Sequence, residues 1–314
     1  MFRHLDFTVR TMAGSGSSKQ AVAGATIPAF VNPAGGSAKA SLAALEERSG
    51  FNVRLLPPEK LTVALQQAVR GGEPRVLIAG GDGTLSSAAA VLAGTGTAMA
   101  VLPGGTLNHF ARDHGIPTEP GDALQLAEHG RIGQVDVGYV NDHLFLNTSS
   151  VGAYVRFVET RDRLESKLGY WISSLVAGLR ILHAARRMRV TLEAGGERRI
   201  YEARLVFVAV GERVLTPPKL GQLEGEPGDA LHVVVPRGRR QARRFARAFA
   251  GWGRGGSVES KPLGLDAALT DRVRLELPVR VVKVAADGEI LRLRTPLEYR
   301  LERVALRVVL PGAG

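Results

Sequence analysis

A glycine-rich segment, Gly80-Gly81-Asp82-Gly83-Thr84, follows directly after the apolar run RVLIA. Glycines permit positive φ and close backbone approach, so consecutive N–H groups and the start of a following helix can surround phosphate oxygens. Asp82 could hold magnesium through water, and Thr84 could donate a hydrogen bond to phosphate. Taken alone, the segment is also compatible with a tight strand-to-helix turn in which the aspartate makes only local hydrogen bonds.

Two further segments of this kind end predicted strands. Asn32 and Pro33 stop the strand IPAFV and precede two glycines, and residues 103–112 read PGGTLNHFAR after the strand AMAVL. The carboxyl ends of parallel strands meet at one sheet edge, so the three segments are expected to form one crevice. The candidate nucleotide-binding residues are Asn32, Pro33, Gly80, Gly81, Asp82, Gly83, Thr84, Gly105, Thr106 and Asn108.

Two common nucleotide-binding motifs are absent from the sequence. There is no GxxxxGK[ST] segment, and no GxGxxG followed by a ribose-binding acid. The sequence therefore disfavours a P-loop and a dinucleotide-dependent oxidoreductase.

A pair of acidic residues, Asp287 and Glu289, flanks Gly288 between the predicted strands VRVVKVA and LRLRT. The glycine suits a hairpin turn that presents both carboxylates together. A hairpin needs no function of its own, and acidic residues at a turn are commonly only solvated. The pattern alone leaves both interpretations open.

The predicted secondary structure that must position these residues changes near residue 135, from alternating strands and helices to mainly strands. Before it, apolar strands alternate with helical segments, which predicts an α/β domain with a parallel sheet and helices on both faces over residues 26–134. After it, strand-like segments separated by turns predict a mainly antiparallel, β-rich domain over residues 135–296. Residues 1–25 contain a Gly/Ser stretch and predict a flexible tail.

The composition of the chain limits the classes of binding partner and metal site that it can have. The chain has 314 residues, enough for two domains, and no cysteine, which excludes disulfides and thiolate metal sites. No apolar run is long enough to predict a transmembrane helix. The formal net charge of +11 implies attraction to polyanions, namely nucleic acid, anionic lipid or nucleotide. Since no helix-turn-helix, zinc-finger spacing or aromatic ribonucleoprotein motif occurs, no nucleic-acid partner is expected.

An arginine-rich segment, residues 237–252, could bring the protein to a membrane. Phe245, Phe249 and Trp252 share one face of the predicted helix, with arginines on the remainder. That pattern suits an anionic lipid surface, and it equally suits a surface helix that packs its aromatic side on the β-rich domain.

An ordered series of motifs now extends over nearly the whole chain after residue 26. It reads NPAGG, GGDGT, PGGTLNHFARDHGIP, DVGYVNDHLFLNTSSVG, KLGYW and ADGE. In this series the chain resembles the diacylglycerol-kinase-like lipid kinases, which include bacterial lipid kinases and sphingosine and ceramide kinases. GGDGT alone is also similar to loops of NAD kinases and phosphofructokinases. The second loop and DGE are therefore the motifs that distinguish the lipid kinases from these two families.

The resemblance implies a phosphotransferase with an alcohol group as acceptor, which uses ATP and Mg²⁺ to phosphorylate a lipid hydroxyl in a cleft between the two domains. It implies that Asp287 and Glu289 are the catalytic pair, with Glu289 as proton acceptor and Asp287 supporting or sharing that role. It also implies that residues 297–314 return to the first domain. The expected location is cytoplasmic, at the inner face of the membrane, with lipid and nucleotide as partners and a homodimer left open.

Two departures from the family pattern concern the acceptor and a second metal. Leu85-Ser86-Ser87 follow GGDGT where many relatives carry a hydrophobic residue, Asn and Glu, and the acidic DDG-like segment is replaced by LGQLEGEPGDALHV. Asp229 is the one remnant of that second magnesium site. A soluble-substrate kinase of the NAD kinase type, and a catalytically weak lipid-binding protein on the same fold, are the alternatives.

Overall fold

The computed structural model describes residues 26–33, 38–106, 108–152, 155, 187–214, 223–224, 228–236 and 265–312. The predicted tail at residues 1–25, the KLGYW motif and the arginine-rich segment 237–252 lie outside this part of the chain. No helix within the described ranges has the length and apolar content needed to cross a bilayer.

The N-terminal half alternates strands and helices. Its elements are β1 (Ile27–Val31), α1 (Ala38–Glu46), β2 (Phe51–Leu55), α2 (Pro58–Arg70), β3 (Arg75–Gly80), α3 (Asp82–Leu92), β4 (Ala98–Pro103), α4 (His109–Asp113) and α5 (Pro120–His129). The four strands pair in parallel in the order β2-β1-β3-β4. The predicted α/β unit is confirmed.

Both faces of this sheet are buried by helices, as strand β3 shows. Val76 and Ile78 share one core with residues of α2, α3 and α4. Leu77 and Ala79 point to the opposite side and share a second core with residues of α1 and α5. Because side chains alternate along a strand, a strand covered on both sides is apolar at every position, which is why RVLIA reads as a continuous run.

The C-terminal half is built from strands. They are β5 (Arg131–Val140), β6 (His143–Phe145), β7 (Thr148–Gly152), β8 (Met188–Ala194), β9 (Glu197–Ala203), β10 (Leu205–Val210), β11 (Leu231–Pro236), β12 (Leu265–Thr270), β13 (Arg272–Glu276), β14 (Val281–Ala286), β15 (Glu289–Arg294) and β16 (Leu297–Leu310). A six-stranded sheet in the order β12-β11-β10-β7-β14-β15 is antiparallel throughout. It shares a core with β8, β13 and β16 through residues that include Val151, Val208, Leu275 and Tyr299.

Strand β16 joins the two halves. It pairs antiparallel with β5 from Tyr299 to Leu310, with an irregularity between Glu302 and Leu306. Its first half also pairs with β13, and Val308 in its second half pairs with Met99 of β4. One ten-stranded sheet therefore runs through the whole molecule. The expected boundary at residue 134 falls within β5.

Candidate active site

The first glycine segment turns β3 into α3. Gly80 ends the strand, Gly81 is the N-cap and the helix begins at Asp82. A Cβ atom on Gly80 would lie 2.7 Å from the Cβ of Thr84, so this turn requires glycine. The helix thus starts directly after the second glycine, and no side chain of the described residues caps it. Its first N–H groups therefore point out of the helix without an intrahelical acceptor.

The second glycine segment packs directly on the first. The Gly104 N–H donates to the Gly80 carbonyl at 2.8 Å, and a Cβ on Gly105 would lie 2.8 Å from the Cα of Gly81. Asn108, in the left-handed region with φ of 49°, accepts the Gly105 N–H through its side-chain oxygen at 2.8 Å. Thr106 lies between these two residues in the same loop.

The first strand contributes the third side of the crevice. The Asn32 side-chain amide donates to the Thr84 hydroxyl at 3.3 Å, and Pro33 follows it directly. The structure thus brings together the three segments that the sequence placed at one sheet edge.

Asp82 holds the start of α4. Its two carboxylate oxygens accept the backbone N–H groups of His109 at 3.2 Å and Phe110 at 3.1 Å. This side chain therefore links the two glycine segments, in addition to any contact with a metal-bound water.

The Asp287-Gly288 turn joins β14 and β15. Both residues have positive φ, 45° and 90°, and the flanking Ala286 and Glu289 are paired across the ladder. These values suit a two-residue hairpin of the type that aspartate and glycine favour. The predicted hairpin is present.

The Asp287 carboxylate turns inward, away from the expected shared position with Glu289. It accepts the backbone N–H groups of Leu146 at 2.6 Å, Asn147 at 2.9 Å and Thr148 at 3.0 Å. Burial raises the pKa of Asp287, while these N–H groups and the Ser86 hydroxyl oppose the rise. The physical reason for its orientation is that three donors of the β6–β7 turn would otherwise be buried without an acceptor.

Glu289 faces the first turn of α3. A Cβ on Gly83 would lie 3.4 Å from the Glu289 Oε1 atom. The residue is open to solvent, and within the described ranges its carboxylate makes no hydrogen bond or ion pair. Partial burial of the carboxylate raises its pKa above the ordinary glutamate value. A carboxylate with a raised pKa is a better proton acceptor than an ordinary one.

Ser86 lies in the first half of α3, directly after Leu85. Its hydroxyl lies within reach of two acceptors, the Leu144 carbonyl at 3.5 Å and the Asp287 carboxylate, and can donate to one of them at a time. The sequence marked this position as a departure, but only the structure shows that it connects α3 to strand β6 and to the Asp287 turn.

Asp229 lies elsewhere, beside the irregularity of β16. Its carboxylate accepts from Arg303 at 2.9 Å, and the same guanidinium binds Asp271 at 2.9 Å. Among the described residues no group of three or more His, Cys, Asp and Glu side chains is arranged to hold a metal. The charged partner of the Asp229 carboxylate is thus the Arg303 guanidinium.

Comparison with known proteins bears on this geometry. Residues 26–140, which contain both glycine segments, match the family model of the diacylglycerol kinase catalytic domain. The predicted family resemblance is confirmed. A protein named "Probable lipid kinase YegS-like" from Cronobacter sakazakii (strain ATCC BAA-894) is 35% identical over 153 residues, which are 47% of this chain and 50% of that protein. A protein of the same name from Enterobacter sp. (strain 638) is 34% identical over 153 residues, with the same coverage.

The part that matches the family model lies in the N-terminal half, and the chain covers about half the length of these two relatives. A solved structure of a diacylglycerol kinase from Bacillus anthracis str. Sterne covers 91% of this chain and 96% of its own, with a TM-score of 0.63 and 20% identity. A second structure from that organism reaches a TM-score of 0.70, covering 93% of this chain and 98% of its own, also at 20% identity. At this identity the likeness shows the fold, which extends over both halves.

Proposed function

We propose that the protein transfers the γ-phosphate of ATP to the hydroxyl group of a lipid, either diacylglycerol-like or a sphingoid base. The observation that carries the proposal is the position of Glu289 opposite the first turn of α3 at Gly83, with a carboxylate that makes no hydrogen bond or ion pair to the described residues. This position supports a cleft in which a proton acceptor faces a phosphate donor bound at α3.

The phosphate side of the cleft is made of backbone groups. The N–H groups that begin α3 are aimed outward, and the helix dipole favours negative charge at this end. Gly81 and Gly105 let the two loops approach closely, since a Cβ on Gly105 would lie 2.8 Å from the Cα of Gly81. Asn32 and Thr84 supply neutral polar groups beside them.

On the acceptor side, Glu289 would take the proton of the lipid hydroxyl as its oxygen bonds to the γ-phosphorus, while the bond from that phosphorus to the β,γ-bridging oxygen breaks and ADP leaves. Its raised pKa suits this task, and Asp287 holds the turn that carries it. Phosphoryl transfer depends mainly on positioning and charge stabilisation, so the turn that holds Glu289 in place would contribute to the rate together with the base.

Magnesium fits the nucleotide side. The Asp82 oxygens each accept one N–H group and retain a second direction in which a metal-bound water can donate. The ion would neutralise charge on the nucleotide phosphates. Asp229, whose carboxylate is paired with Arg303, is proposed only as a weak second ligand.

We place the reaction at the inner, cytoplasmic face of a membrane, where a lipid acceptor is available. The strong positive charge of the chain and the lipid-kinase names of its relatives support this location.

The test is a transfer assay with γ-labelled ATP and three acceptors: total membrane lipid extract, NAD and water. We expect label in a lipid product, and at least a hundredfold loss in Glu289→Gln, since general bases contribute about 10²–10⁴-fold. Glu202→Gln, at an exposed position of β9, is the matched control and should retain full activity.

Each other outcome points to a different function. Label in NAD alone would identify a soluble-substrate kinase. No label in any acceptor, together with retained binding to lipid vesicles, would identify a lipid-binding protein. Near-normal turnover in Glu289→Gln would remove the glutamate from the mechanism.

A further inference from the structure

Arg213 is buried at the junction of the two halves, with 5% of its surface exposed. Its Nη1 donates to the Asp113 carboxylate at 2.6 Å, and the two residues are 100 positions apart. Its Nη2 donates to the Val210 carbonyl at 2.8 Å, and its backbone N–H donates to His232 Nδ1 at 2.9 Å. The guanidinium therefore connects the last residue of α4 to the end of β10.

On the nucleotide side, the connection continues through α4. This helix has five residues and ends at Asp113. Its first two N–H groups, from His109 and Phe110, are the ones that Asp82 accepts. One short helix thus lies between the glycine segment and the arginine.

On the acceptor side, the connection continues through the backbone. The Val210 N–H donates to the Asn147 carbonyl at 3.0 Å, and the Asn147 N–H donates to the Asp287 carboxylate at 2.9 Å. The Asp287 turn leads to Glu289, whose carboxylate faces Gly83 beside Asp82. The hydrogen bonds and the two short segments form a ring around the cleft that is open between Glu289 and Gly83, where the two sides face each other.

We propose that Arg213 is a positioning residue for phosphoryl transfer: with Asp113 it holds the nucleotide loop and the Asp287 turn in fixed register, so that Glu289 stays opposite the first turn of α3. This inference rests on the proposed function. It assigns a role in the reaction to a residue that lies outside residues 26–140, the part matched by the catalytic-domain model.

The choice of arginine supports a positioning role. A planar guanidinium makes directed bonds to two partners at once, which an ammonium group does less well. The Arg213 Nε atom is buried and has no hydrogen-bond partner among the described residues, an arrangement that costs stability. Since a buried ion pair is often no more stabilising than apolar residues of the same volume, stability alone gives little reason for this arrangement.

The first test measures amide hydrogen exchange by mass spectrometry and needs no ligand. In Arg213→Met and in Asp113→Leu we expect at least tenfold faster exchange both in residues 109–114 and in the 146–148 turn. Arg303→Met, which removes an exposed arginine, is the matched control and should leave both segments unchanged. Faster exchange in residues 109–114 alone would overturn the proposal, because the ring would then not transmit the change.

The second test separates position from packing by kinetics. The variants are Arg213→Met and Arg213→Lys, of which the second keeps the charge and remains usable if the first does not fold. In each variant we expect kcat to fall at least tenfold, with the KM for ATP changed less than threefold. The double variant Asp113→Leu/Arg213→Met should regain the thermal midpoint without regaining kcat, whereas full recovery of kcat would show that the pair only fills space.

The two experiments distinguish the two claims. If the wild-type protein transfers no phosphate to any acceptor, the proposed function fails. The exchange experiment still decides whether Arg213 couples the two sides of the cleft.

Discussion

Asp82 and Asp287 lie on opposite sides of the cleft and are engaged in the same way. Asp82 accepts two backbone N–H groups at the start of α4, and Asp287 accepts three in the β6–β7 turn. The difference lies in their surroundings: burial strongly affects Asp287 and raises its pKa. Each side of the cleft therefore uses an aspartate to hold a neighbouring segment, and the acceptor side adds Glu289, a carboxylate that makes no hydrogen bond or ion pair to the described residues.

Removing the two carboxylates should show this difference in stability. Asp287→Ala leaves three buried donors without an acceptor, and we expect a loss of about 4 kcal/mol in the free energy of unfolding. Asp82→Ala leaves two donors and should cost about 2 kcal/mol. Urea denaturation of both variants measures the values, with Asp142→Asn at an exposed position as control. A larger loss for Asp82→Ala would reverse the comparison.

Acid should weaken both sides of the cleft together. Burial lowers the pKa of His114, on the nucleotide side, and of His232, on the acceptor side, to about 4. Because these values lie below the ordinary value of 6.5, the unfolded chain binds protons first, and stability is lost as the pH falls from 6.5 towards 4. Above pH 6.5 this contribution is fully present.

For the buried His232 the loss is about 3 kcal/mol, at 1.36 kcal/mol for each unit. Urea denaturation at pH 7.5, 6, 5 and 4 measures it, with about 2 kcal/mol of the loss expected by pH 5 and the rest by pH 4. His232→Gln, whose side-chain oxygen can still accept the Arg213 N–H, should flatten the dependence. An unchanged slope in this variant would show that His232 is not the group that titrates.

The smallest effect is expected away from the cleft. Arg303 pairs with Asp229 and Asp271, and all three side chains are substantially exposed. Exposed ion pairs contribute less than about 1 kcal/mol, so Arg303→Met should barely change the free energy of unfolding. A thermal or urea melt measures it, and a loss above about 2 kcal/mol would mean that this arginine supports the fold as Asp287 does.

Local signals explain which features the sequence could predict. Glycines at the ends of apolar strands specify turns within a few residues, and so does Asp287-Gly288 between two further strands. The sequence alone could therefore predict the crevice and the hairpin. The inward turn of Asp287 was not, because it depends on donors about 140 positions away. The pairing of Asp113 with Arg213 likewise leaves no periodic pattern, and β16 shows alternation without indicating its partners.

Strand β16 also bears on how the protein is made. Leu306 and Val308 belong to the core of the first half, and Leu297 and Tyr299 to the core of the second. A growing chain that has reached residue 296 on the ribosome has therefore delivered every strand described here except the one that both cores require. Neither half can complete its folding ahead of the other, and a nascent chain stopped at that point exposes two apolar surfaces at once to chaperones and proteases.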